Sequence, residues 1–301
     1  MRRSDVAELL ALAALWGSSF LLLRVAAPLF GPFALIAMRV GIASCLLAPL
    51  LALRGEFGSL REHWPHLLAV GVLNTAIPLC LFAYAELTLA AGFTSVLNAA
   101  APMFAAIVAV AWLHERISLL RVSGLVVGFA GVVVLVGGSA AIRTSGGALA
   151  VAAALLATML YGISNSYIKR FMAGVPSLAI ATGSQLAATL VLAPAAYWLW
   201  PARTPTGTVW LAVIALGIAC TGIAYILFFR LIARVGPTRV ASVSFLIPVF
   251  GVLWGVLFLR EQLTANMAVG SAVILLGTSL SAGIVSSRKP NAEARGNTVA
   301  T

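Results

Sequence analysis

The sequence predicts an all-α polytopic membrane protein with ten transmembrane helices arranged as two inverted five-helix repeats. Three observations lead to this prediction. Of the 301 residues, 62% are hydrophobic and only 9% are charged, whereas soluble domains carry about 25% charged residues. Long apolar runs recur along the whole chain, as in polytopic helical membrane proteins. Finally, an ordered series of Pro, Gly and Glu residues in the first half returns in the second half.

Ten apolar runs approach the roughly 20 residues that a helix needs to cross a bilayer. The first run follows Arg2 and Arg3, as in a signal peptide, but Asp5 and Glu8 do not fit such a segment, so we expect an uncleaved span. The tail 286–301 is polar and is predicted to be disordered. The predicted spans are 6–25, 31–53, 66–88, 92–113, 119–138, 147–168, 177–199, 208–229, 237–259 and 266–285.

The links between the runs carry their basic residues unequally. If the N-terminus is inside, the inside segments hold fourteen Lys and Arg residues and the outside links hold four, while Arg39 lies within a span. Because cytoplasmic loops are enriched in Lys and Arg, we expect both termini to be cytoplasmic. The basic residues stand singly between apolar runs, so the net charge of +11 does not indicate nucleic-acid binding.

Two stretches 146 residues apart are nearly the same: "PMFAAIVAVAWLHERI" begins at Pro102 and "PVFGVLWGVLFLREQL" begins at Pro248. The same offset pairs other Gly, Glu and aromatic residues, and an offset of 145 pairs Trp16-Gly17 with Tyr161-Gly162. We therefore divide the chain into a first half, 1–141, and a second half, 142–285. Because five spans is an odd number, the second half would enter the membrane from the opposite side. Such inverted repeats occur in many secondary transporters, with the substrate site near the midplane; a duplication without a transport role is the alternative.

The chain resembles the EamA-type transporters of the drug/metabolite transporter superfamily. The resemblance covers both halves and rests on "LWGSSF" (15–20), "AMRVGIASCLLAPL" (37–50), "LHERISLLRVSGLVVGFAGVVVLV" (113–136) and "LREQLTANMAVGSAVILLGTSL" (259–280). That family usually has Gly-Glu at the ends of the fourth and ninth spans, where this chain has His114-Glu115 and Arg260-Glu261. The resemblance implies ten helices, a location in the bacterial inner membrane, and export or import of small metabolites such as amino acids.

Polar and aromatic side chains within the spans are the candidates for substrate contact. Pro102 and Pro248 are expected to kink spans 4 and 9 and to free the carbonyls of Asn98 and Ser244, which membrane proteins tolerate beside protein partners or a cavity. Aromatic and small polar groups could line a cavity for an amphipathic substrate, although ordinary helix packing is an alternative for each of them. The predicted substrate-binding set is Trp16, Asn74, Tyr84, Asn98, Tyr161, Asn165, Tyr225 and Ser244.

Two ionisable residues lie well inside the span boundaries, where charges are costly and tend to be functional. Arg39 and Glu86 have similar predicted depths, so we expect them to pair in the outer half of the membrane; a snorkelling Arg39 is the alternative. Two pairs of small residues, Gly124-xxx-Gly128 and Gly251-xxx-Gly255, predict close helix packing, between the repeats or in a homodimer.

The sequence favours metabolite transport by alternating access, as an exporter or an exchanger. A membrane-embedded enzyme is one alternative, but the spans hold no Ser/His/Asp constellation, His cluster or carboxylate pair. A channel or a structural membrane protein is the other, although channels more often use rings of like charge. We expect no catalytic site, metal or cofactor. The expected partners are a small-molecule substrate and the lipid bilayer.

Overall fold

The computed structural model describes residues 2–115, 117–139 and 144–281, and all regular elements in these ranges are helical. Eight helical segments are long and apolar enough to cross a membrane, and two further apolar helices have 17 residues each. The chain is therefore a multi-pass membrane protein. The ten segments are α1 (Arg3–Phe30), α2 (Pro32–Leu53), α3 (Trp64–Ala85), α4 (Ala91–Leu113), α5 (Leu119–Gly137), α6 (Gly147–Phe171), α7 (Ser177–Trp198), α8 (Gly207–Val235), α9 (Val243–Leu259) and α10 (Ala265–Ser281).

The helices follow the predicted spans, with shifted ends. The first helix continues to Phe30, beyond the predicted end at residue 25, so Arg24 lies well inside α1. Short helices occupy Gly58–Glu62 and Pro237–Val240. The predicted boundary between the halves at 141/142 and the predicted disordered tail lie outside the described residues.

Four segments interrupt the regular α-helices. Gly71–Ala76 in α3 and Ile218–Ile223 in α8 are π-helical. A turn at 99–100 divides α4, and a second turn at 241–242 precedes α9. Such departures from α-helix are frequent at functional sites, so their position in the bundle matters.

Pro102 does not kink a continuous helix as predicted. It is the second residue of the helix Ala101–Leu113, a position where its missing N–H breaks no helical hydrogen bond. The interruption frees the carbonyl of Ala99, which accepts a hydrogen bond from Thr278 Oγ1 of α10 at 3.1 Å. Pro248 does lie inside a helix, as predicted, within α9.

Glycines set the closest contacts between helices of the two halves. Extensive packing joins α5 to α10, α4 to α6, α3 to α6, α2 to α7 and α1 to α9. Gly128 and Gly277 meet at the α5–α10 contact, and Gly17 and Gly251 meet at the α1–α9 contact. The Gly124/Gly128 and Gly251/Gly255 motifs are therefore confirmed as packing faces between the two halves of the chain.

The two ends of the bundle differ in charge. At one end, Glu8 of α1 forms ion pairs with Arg230 and Arg234 of α8, and Glu115 after α4 pairs with Lys169 of α6. We call this the basic end. At the other end, which we call the distal end, Arg24 donates a hydrogen bond to the carbonyl of Glu86, and Phe30 packs edge-on against Trp200 and Trp210.

Replacing Gly277 by leucine is expected to push α5 and α10 apart, because any Cβ at Gly277 would collide with backbone atoms of Gly124 and Gly128. Such overpacking commonly costs about 1–3 kcal/mol, so the melting temperature in detergent should fall by several degrees. Gly137→Leu at the end of α5 is the matched control, since a Cβ at Gly137 meets no atom within 4 Å. Equal melting temperatures for the two variants would contradict this account of the packing.

Candidate functional site

A cavity of about 510 Å³ lies inside the bundle, between the two halves of the chain. Its size is typical of sites for small molecules. Every helix except α5 and α10 contributes to its walls. The lining residues are Trp16, Ser19, Phe20, Leu23, Arg39, Asn74, Thr75, Leu79, Phe82, Asn98, Ala101, Pro102, Ala105, Tyr161, Asn165, Gln185, Cys220, Thr221, Tyr225, Ala241, Ser244, Phe245 and Ile247.

The structure brings seven of the eight predicted substrate-binding residues together on this cavity; the seven are Trp16, Asn74, Asn98, Tyr161, Asn165, Tyr225 and Ser244. The eighth, Tyr84, does not line it. Of the predicted kink residues, Pro102 lines the cavity, while Pro248 is buried in α9 and does not. That these residues bind a substrate stays a prediction.

All four helix interruptions face the cavity. Asn74 and Thr75 come from the π segment of α3, and Cys220 and Thr221 come from that of α8. Asn98 and Ala101 flank the turn in α4, and Ala241 lies in the turn before α9. The irregular backbone thus surrounds one internal space.

Arg39 is the one charged residue among those that line the cavity, and it is only 6% exposed. Its Nε donates to Thr221 Oγ1 at 2.9 Å, and its Nη2 donates to Ser19 Oγ at 3.0 Å. Thr221 in turn donates to the carbonyl of Leu216 at 2.8 Å, within the π-helical region of α8. The irregular helix therefore fixes the orientation of the guanidinium.

The predicted contact between Arg39 and Glu86 is wrong. None of the ion pairs formed by the described residues joins them. Glu86 is completely buried near the distal end, away from the cavity lining, and its carboxylate oxygens have no hydrogen-bond partner among the described residues. The prediction was based on the similar depths expected for Arg39 and Glu86, but the two side chains lie in different parts of the bundle.

The cavity is closed toward the distal end. Leu23 is 2% exposed and Phe82 is also 2% exposed, and Phe82 packs edge-on against Phe20 with ring centroids 5.7 Å apart. Farther out, the carboxylate of Glu261 accepts hydrogen bonds from the backbone N–H groups of Ala91 and Gly92 at 2.7 and 2.9 Å. This contact, which we call the distal latch, ties the end of α9 to the start of α4.

The cavity opens toward the basic end. Asn165 and Ala241 line it and are exposed. Asn165 lies one helical turn before Lys169, and Ala241 lies two residues after Arg239. Access to the cavity in this structure is therefore from the basic end.

The sequence profile of the EamA-like transporter family matches residues 6–137 and again residues 148–283. The chain belongs to this family. A crystal structure that is 23% identical in sequence superposes with a TM-score of 0.67, covering 93% of this chain and 97% of that one. At this identity, the likeness shows a shared fold.

Curated relatives of this EamA-family chain span most of its length. A protein named as an uncharacterized transporter from Archaeoglobus fulgidus is 25% identical, over 87% of this chain and 92% of the relative. The uncharacterized transporter YvbV of Bacillus subtilis is 27% identical, over 89% and 88%. A probable terminal-alkyne amino-acid exporter of Streptantibioticus cattleyicolor is 25% identical, over 88% and 89%. These names point to a transporter rather than an enzyme.

The turns after α4 and α9 lack the glycine that the EamA family usually has there, and His114 and Arg260 take its place. His114 and Arg260 have φ of 54° and 53°, the two positive values outside glycine among the described residues. This left-handed conformation is easiest for glycine, which the family usually has there. The turn is kept without glycine, so Glu261 still reaches the start of α4.

Sequence reasoning missed some of the cavity wall. Thr221 was not singled out, although it supports Arg39. The 146-residue offset pairs it with Thr75 and pairs Cys220 with Asn74, so the repeat contained the signal. No residue type marks a π-helical segment, and the two segments were not predicted.

A thiol at the open end should react where a thiol at the closed end does not. In a background with Cys45, Cys80 and Cys220 replaced by alanine, Ala241→Cys should be labelled rapidly by a membrane-impermeant maleimide added on the side of the basic end. Leu23→Cys is the matched control and should react far more slowly from either face, because Leu23 is 2% exposed. Faster labelling at Leu23→Cys would contradict the assignment of the open end.

Proposed function

We propose that this protein is a carrier that moves small, amphipathic, amino-acid-like metabolites across the bacterial inner membrane, as an exporter or an exchanger. One observation carries the proposal: a cavity lined by aromatic and polar side chains lies between the two halves, closed at one end and open at the other. The family match and the relatives named as transporters agree with it. A channel would need an open path through both ends.

In this proposal the ten helices form two inverted five-helix repeats. Support comes from glycine contacts that recur at the repeat offsets. A Cβ on Gly71 of α3 would lie 2.6 Å from Cβ of Ala187 in α7. A Cβ on Gly217 of α8 would lie 2.6 Å from Cβ of Ile42 in α2. Gly217 is 146 residues after Gly71, and Ala187 is 145 residues after Ile42, so the two contacts are equivalent under exchange of the halves.

A second pair of contacts follows the same rule. A Cβ on Gly17 of α1 would meet Phe250 and Gly251 of α9, and a Cβ on Gly162 of α6 would meet Phe104 and Ala105 of α4. The offsets between these partners are again 145 and 146 residues. Equivalent close contacts at such offsets are expected of two repeats related by a pseudo-twofold axis in the membrane plane.

In the proposed transport cycle, the distal end of the cavity opens while the basic end closes, and the reverse change completes the cycle. The distal latch holds Glu261 on Ala91 and Gly92. The residue that matches Glu261 in the first half is Glu115, which here pairs with Lys169 at the exposed basic end. Rocking of the halves would break the distal latch and close the basic end. Because basic residues predict the cytoplasmic side, this structure corresponds to an inward-open state with both termini cytoplasmic.

The substrate class follows from the cavity wall. Its aromatic rings suit an apolar body. The amide oxygens of Asn98 and Gln185 have no hydrogen-bond partner among the described residues and can accept hydrogen bonds from an amino or hydroxyl group. The relative named as an amino-acid exporter supports an amino-acid-like compound. The proposed partners are this small molecule and the surrounding lipid; close glycine packing is used within the chain, so a homodimer is not needed to explain it.

Counterflow in proteoliposomes tests the proposal. Vesicles that contain the purified protein and one unlabelled L-amino acid should take up the same labelled amino acid faster than unloaded vesicles, for at least one of the twenty. Alanine at Asn98 or Tyr161 should reduce this uptake by roughly threefold to tenfold, the worth of one hydrogen bond. Tyr84→Ala is the control, because Tyr84 does not line the cavity. Uptake without any dependence on the internal amino acid would contradict a carrier.

The distal latch generates a separate prediction. Glu261→Ala removes two charge-assisted hydrogen bonds, each worth about 1.5–3 kcal/mol, so the distal end should open more often. Labelling of Leu23→Cys by an impermeant maleimide from outside should therefore become faster than in the parent protein. Glu62→Ala, at an exposed site beyond the bundle's helices, is the matched control. No change in labelling would mean that the latch does not hold the distal end closed.

A further inference from the structure

Arg39 places one positive charge inside the bundle without an acidic partner. The described residues that line the cavity include no Asp or Glu. The thiol of Cys220 and the phenol groups of Tyr161 and Tyr225 share the cavity with the guanidinium, and none of the three is a carboxylate. A buried charge inside a membrane protein is expensive and usually pairs with an opposite charge. Among the described residues, the hydrogen-bond partners of Arg39 are the neutral hydroxyl groups of Thr221 and Ser19.

The donors of Arg39 are only partly used. A guanidinium has five N–H donors, and two of them bind Thr221 and Ser19, which leaves three. Nη1 has no hydrogen-bond partner among the described residues. The two hydroxyl contacts hold the side chain in place on the wall of the cavity, so the remaining donors have a fixed direction.

We infer that Arg39 binds the carboxylate group of the substrate, and hence that the transported compounds are carboxylates. This inference rests on the proposed carrier function and names its substrate class. A carboxylate accepts two parallel hydrogen bonds from the planar fork of an arginine, which a neutral or cationic compound cannot do. The site lies at the closed end of the cavity, near Leu23 and Phe20, so the carboxylate enters first and the apolar body faces the aromatic rings.

Matched compounds on one carbon skeleton provide the test. Melting temperatures of the detergent-solubilised full-length protein are measured against L-phenylalanine, 3-phenylpropionate, L-phenylalaninamide and 2-phenylethylamine. The leucine series is measured in parallel: L-leucine, 4-methylpentanoate, L-leucinamide and 3-methylbutylamine. A compound that binds the folded state raises the melting temperature by mass action. The carboxylates should stabilise the protein at concentrations roughly tenfold or more below those needed for the amides and amines.

Variants of Arg39 separate a binding role from a structural one. Arg39→Met should lose the stabilisation by carboxylates while its melting temperature without compound is kept or raised, because an unpaired buried charge has been removed. Arg39→Lys retains the positive charge but lacks the two parallel N–H donors of the guanidinium. It should therefore bind carboxylates more weakly than the parent protein does. Arg203→Gln removes a charge at an exposed position and should behave like the parent protein.

The outcomes are decisive for this inference. Equal stabilisation of Arg39→Met and the parent protein by carboxylates, or preferential stabilisation by amides or amines, would overturn it while leaving the carrier proposal intact. Failure of both Arg39→Met and Arg39→Lys to fold would also overturn it, since Arg39 would then be structural. If none of the eight compounds stabilises the protein, the inference fails; counterflow of another amino acid that persists unchanged in Arg39→Met would still support the carrier.

Discussion

The lack of hydrogen-bonding solvent in the bilayer core is the constraint on which this structure depends. Backbone groups released from an α-helix must find partners inside the protein or beside an internal cavity. The π-helical segments of α3 and α8 and the turns beside α4 and α9 all line the same cavity. Side-chain hydroxyls satisfy two carbonyls at these places: Thr278 binds Ala99 and Thr221 binds Leu216. The irregular backbone is therefore concentrated where polar groups are useful.

Packing and gating use different chemistry in this bundle. Glycines bring the helices of the two halves into backbone contact, as Gly128 and Gly277 do between α5 and α10, so no bulky side chain separates the helices there. The closure of the distal end adds few polar contacts, notably those of Glu261 with Ala91 and Gly92. Rocking of the halves, as proposed, would have to break these two hydrogen bonds and separate the apolar side chains Leu23, Phe20 and Phe82.

The sequence predicted most of the fold and much of the cavity wall, because both depend on residue types that are rare in apolar spans. Polar residues such as Asn98 and Asn165 are costly in hydrocarbon, so finding them on the cavity follows from composition. The predicted Arg39–Glu86 pair failed for a geometric reason. Depth along a helix can be estimated from residue number, but the direction in which a side chain points depends on helix rotation and packing, which the sequence did not give.

Other features depend on properties that no single residue carries. The π-helical segments have no marker residue, although the repeat pairs Thr75 with Thr221. The open end of the cavity could not be predicted from the sequence, because it is a property of one conformational state and the same sequence forms every state. The left-handed turns at His114 and Arg260 were not predicted, because the glycine that usually marks such turns is absent.

Alternating access is tested most directly by distances across both ends of the bundle. Spin labels on Leu87 and Leu263 would report on the distal end, and labels on Leu119 and Phe171 on the basic end; all four side chains are exposed. A compound that passes the counterflow test should lengthen distances at the distal end and shorten them at the basic end, as measured by double electron–electron resonance in lipid nanodiscs. Distances that stay unchanged at both ends, or that lengthen together, would contradict the rocking of two halves around one central site.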